Sequence, residues 1–346
     1  MATRDIRCID DDELSRFLAE LHQPSFRRTQ IREWLWGKGA RSFADMTNLP
    51  LSLRDALAST YTIERPSVLA RQVSRDGTRK YLVGFPDGCA VETVGIPSHD
   101  ESRLTVCFST QSGCAMGCVF CATGQAGFTR NLTVPEMYDQ VALVRDDFGR
   151  RVSNVVAMGQ GEPFLNYDAL LAALRLMNDP VCLGIGARHI TVSTCGITGG
   201  IERFSHEHEQ FTLAVSLHSA IQQSRDTIMP GLRSHPLDEL SACLRSYVDV
   251  SGRRPTLEYT LIQGINDDRN HAEALVAFCK PLHCHVNLIQ LNPNPLQQDG
   301  ARLAPSKNAA MFATILNSEN IEVSSRVSRG ADIDGACGQL HRKHVG

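Results

Sequence analysis

The chain has 346 residues, of which 42% are hydrophobic and 21% are charged, and its formal net charge is −3 at pH 7. These values are typical of a soluble globular protein, and the small negative charge argues against nonspecific coating of nucleic acid, which requires a surplus of Lys and Arg. No apolar run approaches the roughly 18 residues that a membrane span needs, and the acidic N-terminus lacks the apolar segment of a signal peptide. We therefore expect a cytoplasmic protein whose twelve cysteines serve metal binding or catalysis rather than structural disulfides.

Residues 1–64 are predicted to form a small helical domain. Apolar residues at positions 14, 17, 18 and 21 follow an acidic first turn, which is the pattern of an amphipathic helix. Residues 26–43 carry five basic side chains and both tryptophans of the chain. A local basic patch of this kind fits a partner that carries phosphate groups, although a solvated helix face explains the same charges equally well.

Residues 65–98 are predicted to form a β-hairpin or meander that links the helical domain to the rest of the chain. Strand-like runs near 68–74, 79–85 and 89–96 are separated by the turn sequences RDG and PDG. Residues 64–81 also carry five basic side chains, so this segment is a second candidate for contacts with phosphate groups.

Residues 99–346 show alternating strand and helix patterns. Most of the strand candidates are short continuous apolar runs, as expected of parallel strands that are covered on both faces. The repeated units predict an α/β fold with a partial (β/α)6 barrel and a site at the C-terminal ends of its strands. The strand candidates are RLTVCFS, NVVAM, RHITVST, FTLAVSLH, TLEYTLI, HVNLIQLN and a final IEVSSRV, and the helix candidates cover about 134–147, 167–178, 236–249, 269–280 and 306–318.

Three cysteines follow the first of these strands in the spacing Cys-x3-Cys-x2-Cys, at Cys114, Cys118 and Cys121. A closed structural zinc site or a fully protein-ligated iron–sulfur cluster uses four protein ligands. Three thiolates on a [4Fe–4S] cluster leave one iron free to bind a small chelating molecule, which is the property of a reactive metal site. A zinc site with a fourth ligand from elsewhere in the chain and a chance clustering of thiols are the alternatives.

This spacing, with the aromatic Phe120 before the last cysteine, resembles the cluster motif of the radical S-adenosylmethionine (SAM) superfamily. Further motifs, in order from about residue 15 to residue 341, resemble the RlmN/Cfr family of RNA methyltransferases. The resemblance implies a partial barrel, a [4Fe–4S] cluster held by the three cysteines, and two SAM molecules in each turnover. The motifs are VETVGIP, CFSTQSGC, CATGQAGFTRNLT, MGQGEPFLN, ITVSTCG, SLHS, HVNLIQLNP and DIDGACGQL.

The resemblance also implies a covalent mechanism with three catalytic residues. Cys337 accepts a methyl group from one SAM, and a radical derived from the second SAM removes a hydrogen atom from that methyl group, so that its carbon adds to an adenine ring. Glu92 then accepts a proton from the ring carbon, and Cys107 attacks Cys337 to release the methylated base as a transient disulfide. Without the resemblance, Cys107 is interpreted more simply as a core side chain and Glu92 as a solvated strand residue.

The SAM-binding residues that the resemblance implies lie at the ends of predicted strands, where a barrel presents its ligands. A histidine such as His218 is, taken alone, more often a hydrogen-bonded core residue. The seven cysteines outside the motif roles match no functional position and are predicted to be packing residues. The implied SAM ligands are Gly161, Glu162, Ser193, Ser216, Leu217, His218 and Asn292.

Members of this family act on an adenosine of 23S rRNA, and many also act on a tRNA adenosine beside the anticodon. We expect methylation of adenine C2, because GEPFLN is closer to the C2-methylating branch than to the antibiotic-resistance branch, which methylates C8. Residues 26–43 and 64–81 are the candidates for contacts with RNA phosphates. We expect a monomer that takes electrons from a flavodoxin or ferredoxin. A noncatalytic RNA-binding or ribosome-assembly factor and a redox sensor built on Cys107 and Cys337 are the alternatives.

Overall fold

The computed structural model describes residues 4–292, 294, 303–326 and 328–340. The strands are β1 (Arg4–Asp5), β2 (Tyr61–Thr62), β3 (Ser67–Val73), β4 (Arg79–Gly84), β5 (Ala90–Pro97), β6 (Leu104–Cys107), β7 (Gln111–Gly113), β8 (Phe128–Asn131), β9 (Asn154–Ala157), β10 (Ile190–Thr194), β11 (Thr212–Ser216), β12 (Thr256–Leu261), β13 (His285–Gln290) and β14 (Val323–Arg326). The α-helices are α1 (Asp11–Glu20), α2 (Phe26–Arg32), α3 (Leu51–Thr60), α4 (Ala122–Gln125), α5 (Val134–Phe148), α6 (Tyr167–Asn178), α7 (Thr198–Ser205), α8 (Gln222–Ile228), α9 (Leu237–Ser251), α10 (Arg269–Cys279) and α11 (Ala309–Ser318). Short 3-10 helices cover Ile6–Cys8, Phe43–Asp45, Pro163–Asn166, Ala187–His189, Pro230–Leu232 and Ala331–Ile333, and a π-helical turn covers Glu33–Gly37.

A ten-stranded sheet in the order β14-β13-β12-β11-β10-β9-β6-β5-β4-β3 forms the centre of the molecule. Its strands β6, β9, β10, β11, β12, β13 and β14 are parallel, and each lies beside the next one along the chain. Within the described residues β3 and β14 are not paired with each other, so the barrel is open. The predicted α/β fold with a partial barrel is confirmed, and the final strand candidate adds a seventh parallel strand.

Successive residues of the parallel strands face opposite sides of the sheet, as the strand period of two requires. Val192 of β10 and Val215 of β11 are fully buried in the main hydrophobic core. The residues that follow them, Ser193 and Ser216, instead line a cavity inside the barrel. The strands therefore combine one apolar face with an inner face of small polar residues, and this alternation aims side chains into the cavity.

The predicted meander, β3 to β5, is antiparallel and extends the barrel sheet. Its last strand, β5, pairs with β6, and this register sets Val94 opposite Cys107. Because Glu92 lies two residues before Val94, its side chain points to the same face of the sheet as Cys107. The meander is thus a continuous part of the central sheet, and the division of the chain at residues 64 and 98 stays a prediction.

The N-terminal helices dock on α5 through a buried ion-pair network. Asp139 of α5 accepts hydrogen bonds from Arg7 at 2.7 Å and from Arg65 at 2.6 Å, and the Arg7 and Asp139 side chains are 1% and 5% exposed. Beside it, the Tyr138 hydroxyl donates to the Trp36 carbonyl at 2.7 Å and the two rings make an edge-to-face contact at 5.0 Å. The carboxylate that links two guanidinium groups therefore fixes this part of the chain to the barrel.

The five predicted barrel helices correspond to α5, α6, α9, α10 and α11. The capping box that the sequence predicts is present, since Thr133 and Glu136 exchange side-chain to backbone hydrogen bonds at the start of α5. Helix α7 was not among the candidates, because its Gly199 and Gly200 disfavour a helix. Gly200 is required by packing, since a Cβ atom there would lie 2.6 Å from the Phe164 side chain. No helix in the described part of the chain is long and apolar enough to cross a membrane.

We predict that Asp139→Ala destabilises the N-terminal helices. The substitution leaves the buried Arg7 with Asp5 as its acidic partner and removes the ion-pair partner of Arg65. Because removal of one partner from a buried ion pair costs up to about 3–5 kcal/mol, we expect a loss of stability within that limit. Urea unfolding followed by tryptophan fluorescence measures the effect directly, because both tryptophans of the chain, Trp34 and Trp36, lie in this region. Asp146→Ala, which removes an acidic side chain that is 66% exposed, is the control and should leave the transition unchanged. An equal loss in both variants would contradict the structural role of Asp139.

Candidate active site

The cysteine loop, residues 114–127, is closed at its base by the antiparallel pair β7 and β8. The Cys114 amide donates to the Gly127 carbonyl at 3.0 Å. Gly113 has a φ of 76°, and a Cβ atom there would lie 1.8 Å from the Gly127 carbonyl oxygen, so this turn requires glycine.

The last residue of α8 and the turn after it hold the other side of the cysteine loop. The Val119 amide donates to the Ile228 carbonyl, and the Gly231 amide donates to the Met116 carbonyl, each at 3.0 Å. The cysteine loop is therefore fixed by backbone hydrogen bonds on two sides, and its three cysteines face the inside of the barrel mouth.

One cavity at the C-terminal ends of the parallel strands brings together most of the residues that the sequence predicted. The Met116, Phe120 and Met158 side chains supply apolar walls, whereas Glu258 and Thr260 add polar groups from β12. The predicted residues that line this cavity are Cys114, Cys118, Cys121, Gly161, Glu162, Ser193, Ser216, His218, Asn292 and Cys337. We call it the cluster cavity.

Three predicted residues do not line the cluster cavity. Leu217 is fully buried in the main core, and its amide donates to the Glu258 carbonyl at 3.0 Å, so only its main chain is near the cavity. Cys107 lies in a small apolar group with Val94 and Leu340. Glu92 is 4% exposed and is considered below with its ion-pair partner.

Glu162 is held rigidly in the cluster cavity by backbone donors. Its two carboxylate oxygens accept hydrogen bonds from the amides of Phe164, at 3.0 Å, and Cys195, at 2.7 Å. Burial raises the pKa of Glu162 above its ordinary value, which these hydrogen bonds oppose. Cys195 lines the cavity and also packs in a buried hydrophobic cluster, as predicted for a packing residue. Its contact with Glu162 depends on how the loops after β9 and β10 meet, which no motif within one segment reports.

His218 is a neutral histidine in a strained backbone position. Its φ is 53°, and its Nδ1 accepts a hydrogen bond from the Thr260 amide at 3.0 Å, so the ring proton lies on Nε2. Burial, with a further contribution from the nearby Arg225 charge, lowers the pKa of His218 to about 3. Its ring packs edge-to-face against Phe120 at 4.8 Å, which ties the end of β11 to the cysteine loop.

The C-terminal segment, residues 335–340, covers one side of the cysteine loop. The Ala122 amide donates to the Gly338 carbonyl at 2.8 Å, and the Thr123 hydroxyl donates to the Leu340 carbonyl at 2.6 Å. The Asn292 side chain donates to the Cys337 carbonyl at 3.1 Å. These bonds seat Cys337 at the wall of the cluster cavity although it is distant from the other cysteines in sequence.

A second cavity lies between β6, β9 and the C-terminal segment. Cys107 and Cys337 both line it, together with Met158 and Ile289. Cys337, Met158 and Ile289 also line the cluster cavity. Cys337 therefore faces both spaces, and we call the second one the resolving cavity.

Glu92 forms a buried ion pair with Lys80 of the neighbouring strand β4. The Lys80 Nζ lies 3.0 Å from the Glu92 carboxylate, and the two side chains are 4% and 5% exposed. The Glu92 carbonyl accepts a hydrogen bond from the Ser109 hydroxyl at 2.6 Å. The interpretation of Glu92 as a solvated strand residue is therefore wrong, because its carboxylate is enclosed and paired.

Many basic side chains of the two segments that were expected to contact RNA have acidic partners within the protein. Arg65 and Lys80 are in the buried ion pairs described above. Arg71 and Arg79 both pair with Asp147, at 2.5 and 2.7 Å. The exposed basic residues of these segments that enter no salt bridge among the described residues are Arg41 and Arg75.

Arg225 is a buried cation behind the cluster cavity that the sequence did not single out. Its guanidinium donates to the carbonyls of Cys195, at 2.7 Å, and His235, at 3.2 Å, and its Nε has no partner in the described structure. Burial lowers the pKa of Arg225 below its ordinary value, whereas the neighbouring groups of Cys195, Asp226 and Cys118 oppose this shift. A fully buried cation is costly unless an anion lies near it.

The residues of the cluster cavity fit the cofactors of a radical SAM enzyme. Burial raises the pKa of the Cys114 thiol to about 12, so a bound metal is needed to hold it as a thiolate. Three thiolates on an iron–sulfur cluster form an anionic site, whose negative charge would add to that of Asp226 in stabilising the buried Arg225. The carboxylate of Glu162 is in turn a suitable partner for an ammonium group such as that of SAM.

The fold and the cluster cavity define a radical SAM enzyme. The family model for the radical SAM superfamily matches residues 108–275, and the model for the ribosomal RNA large subunit methyltransferase N-terminal domain matches residues 5–63. Membership of this superfamily implies a [4Fe–4S] cluster and SAM. A solved structure of a radical SAM methyltransferase from Sphaerobacter thermophilus superimposes with a TM-score of 0.89 at 41% identity, and the match covers 98% of this chain and 99% of that one.

Relatives that match nearly the whole chain identify the family more narrowly. The probable dual-specificity RNA methyltransferase RlmN of Pelotomaculum thermopropionicum is 47% identical, over 95% of this chain and 89% of that protein. The protein of the same name from Nostoc punctiforme is 45% identical, over 95% of this chain and 90% of that protein. The chain belongs to the RlmN family of radical SAM RNA methyltransferases.

We predict that His218 stays neutral, with its proton on Nε2, between pH 5 and pH 8. Because folding lowers the pKa of His218, its contribution to stability is present above about pH 6.5 and is lost as the pH falls towards 3. Nitrogen-15 NMR of the imidazole ring, assigned with His218→Gln, reports the tautomer and the charge. The urea-unfolded chain is the reference, in which histidine protonates near pH ~6.5. Protonation of folded His218 above pH 5 would contradict the prediction.

Proposed function

We propose that this protein methylates C2 of an adenosine in 23S rRNA, and of an adenosine beside the anticodon in tRNA, through a methyl group carried on Cys337. Support for two RNA substrates comes from the relatives, which are named dual-specificity RNA methyltransferases. Support for rRNA also comes from the N-terminal family model, which is named for a methyltransferase of the large ribosomal subunit.

The position of Cys337 carries this proposal. Its thiol is exposed and lines the cluster cavity on one side and the resolving cavity on the other. A carrier thiol must meet the methyl donor first and the resolving thiol last, and both spaces border the same residue. A noncatalytic RNA-binding protein would have no use for this arrangement.

The cluster cavity binds the cofactors through its own residues. Cys114, Cys118 and Cys121 hold the cluster, and when it is bound the cluster and SAM together supply a 5′-deoxyadenosyl radical. Glu162, with Gly161 beside it, binds the amino group of SAM. Gly161 has a φ of 105°, and a Cβ atom there would lie 2.6 Å from the Gln111 side chain, so only glycine allows the backbone to approach.

The strand ends complete the SAM site. Ser193 and Ser216 present hydroxyl groups from β10 and β11, and His218 presents its Nε2 proton as a donor. Asn292 donates to the Cys337 carbonyl, so the same side chain borders SAM and the carrier residue. This shared contact holds the thiol of Cys337 toward the methyl donor.

The remaining steps use groups on the inner face of β5 and β6. After the carbon on Cys337 has joined the adenine ring, the adduct is a radical, which loses one electron to an acceptor such as an oxidised flavodoxin, and the Glu92 carboxylate takes the proton from the ring carbon. The Cys107 thiolate then attacks the Cys337 sulfur, and the electron pair of the bond between that sulfur and the methylene carbon passes to the carbon. The carbon takes up a proton to become the methyl group, and the methylated base leaves while the two sulfurs form a disulfide. Cys107 lines the resolving cavity with Cys337, which supports this pairing.

We predict that the anaerobically reconstituted enzyme, given SAM and a flavodoxin reducing system, forms 2-methyladenosine in a 23S rRNA fragment and in tRNA. Mass spectrometry of nucleoside digests measures the product, and 5′-deoxyadenosine measures the radical step. Cys118→Ala should lose iron and both products, whereas Cys243→Ala, which changes a half-buried thiol on α9, should retain them. Formation of 8-methyladenosine would overturn the C2 assignment, and absence of 5′-deoxyadenosine from iron-loaded protein would overturn the mechanism.

We predict that Cys107→Ala stops the reaction after the first adduct. The variant has no thiol to attack Cys337, so it forms at most one covalent protein–RNA complex per enzyme and releases no methylated base. A band that survives denaturing electrophoresis and disappears on ribonuclease treatment identifies the adduct. Cys337→Ala is the matched comparison, because it removes the carrier and should give neither adduct nor product. Normal turnover by Cys107→Ala would show that another group resolves the adduct.

A further inference from the structure

The turn between β3 and β4 forms hydrogen bonds with residues 329–332, which precede Cys337 in the sequence. The Asp76 carboxylate accepts hydrogen bonds from the Gly330 amide at 3.1 Å and from the Arg329 Nε at 3.2 Å. The Ser74 hydroxyl donates to the Asp332 carboxylate at 2.6 Å. The meander therefore anchors the start of the segment that carries Cys337, far from it in sequence.

Lys80 of β4 also contacts the segment that leads to Cys337. Its ammonium donates to the Asp334 carbonyl at 3.3 Å and lies 3.0 Å from the Glu92 carboxylate. The Lys80 side chain is 4% exposed, so the Glu92 carboxylate and the Asp334 carbonyl, rather than water, surround its ammonium group. One ammonium thus contacts both the β5 carboxylate and the segment that leads to Cys337.

The chain length between these contacts keeps Cys337 close to the ion pair. Three residues lead from Asp334 to Cys337, and a fully extended chain of that length spans at most about 11 Å. An ammonium with several donor hydrogens binds two oxygens at once without changing its position. Lys80 therefore fixes the distance between the Glu92 carboxylate and the Cys337 segment.

We infer that Lys80 is a positioning residue that orients the Glu92 carboxylate and docks the Cys337 segment with the same ammonium group. The inference rests on the proposed function, in which Glu92 accepts a proton from the base attached to Cys337. A base that acts on a carbon bound to a different segment of the chain must keep its geometry relative to that segment, and the Lys80 bridge provides this constraint. Glu92 is the catalytic residue, and Lys80 acts through it.

The docking half of the inference is tested without any catalysis. In hydrogen–deuterium exchange of the full-length protein, Lys80→Met should raise exchange in residues 329–338, whereas Lys80→Arg, which keeps the charge and the donors, should stay close to wild type. Lys280→Met is the matched control, because Lys280 pairs with Glu319 on the surface, where the two side chains are 58% and 44% exposed. Unchanged exchange at 329–338 in Lys80→Met would overturn the docking role.

A second variant separates docking from a general loss of folding. Lys80→Met leaves Glu92 buried without its ammonium partner, whereas Lys80→Met combined with Glu92→Gln removes both charges. Raised exchange confined to residues 329–338 in the double variant supports the docking role. A return to wild-type exchange there would show that the segment does not depend on Lys80, and would overturn it.

The orienting half is tested on the adduct. Glu92→Gln should accumulate the protein–RNA adduct and lower turnover by roughly 10²–10⁴-fold, the range of general-base catalysis. Lys80→Met should accumulate the same adduct while still methylating Cys337, seen as a peptide mass increase, and Lys80→Arg should restore release. If Lys80→Met released the methylated base at the wild-type rate while Glu92→Gln did not release it, the orienting role of Lys80 would be wrong. If Glu92→Gln itself released the base at the wild-type rate, the assignment of Glu92 as the base in the proposed function would be wrong. In that case the hydrogen–deuterium exchange experiment would still test the docking role of Lys80.

Discussion

The seating of residues 335–340 against the cysteine loop is the interaction on which the rest of the site depends. Two hydrogen bonds to carbonyls of this segment, from the Ala122 amide and the Thr123 hydroxyl, join it to the short helix after Cys121. Each such bond contributes only about 1 kcal/mol net. The contact therefore fixes the position of the segment with a modest gain in energy, and in that position its thiol borders both cavities.

The continuity of the sheet explains how these cavities adjoin. Because the meander pairs with β6, Glu92 and Cys107 lie on the same inner face, and the strand ends of the barrel continue this surface into the cluster cavity. A detached linker would have left Lys80 and Glu92 without fixed positions relative to Cys337. The antiparallel extension of the parallel barrel is thus a structural requirement of the site.

The sequence predicted the fold well where the physical signal was local. Short apolar runs located the parallel strands, and the capping box at Thr133 located the start of α5. Helix α7 was missed because Gly200 is selected by contact with Phe164 rather than by helix propensity. Sequence motifs located the residues of the site, but they did not predict which other residues these form hydrogen bonds and ion pairs with. The ion pair of Lys80 and the contact of Cys195 with Glu162 join distant segments, and no pattern within one segment reports them.

The order of the site's parts along the chain has a consequence for synthesis. More than 200 residues separate Cys121 from Cys337. At translation rates of about 5–20 residues per second, the cysteine loop precedes the segment that covers it by about 10–40 s. During that interval, the side of the loop that Gly338 later covers stays open to solvent. The Ala122 amide and the Thr123 hydroxyl of the nascent loop therefore lack their carbonyl partners until synthesis is nearly complete, and this interval is when the loop thiols have the least cover against oxidants.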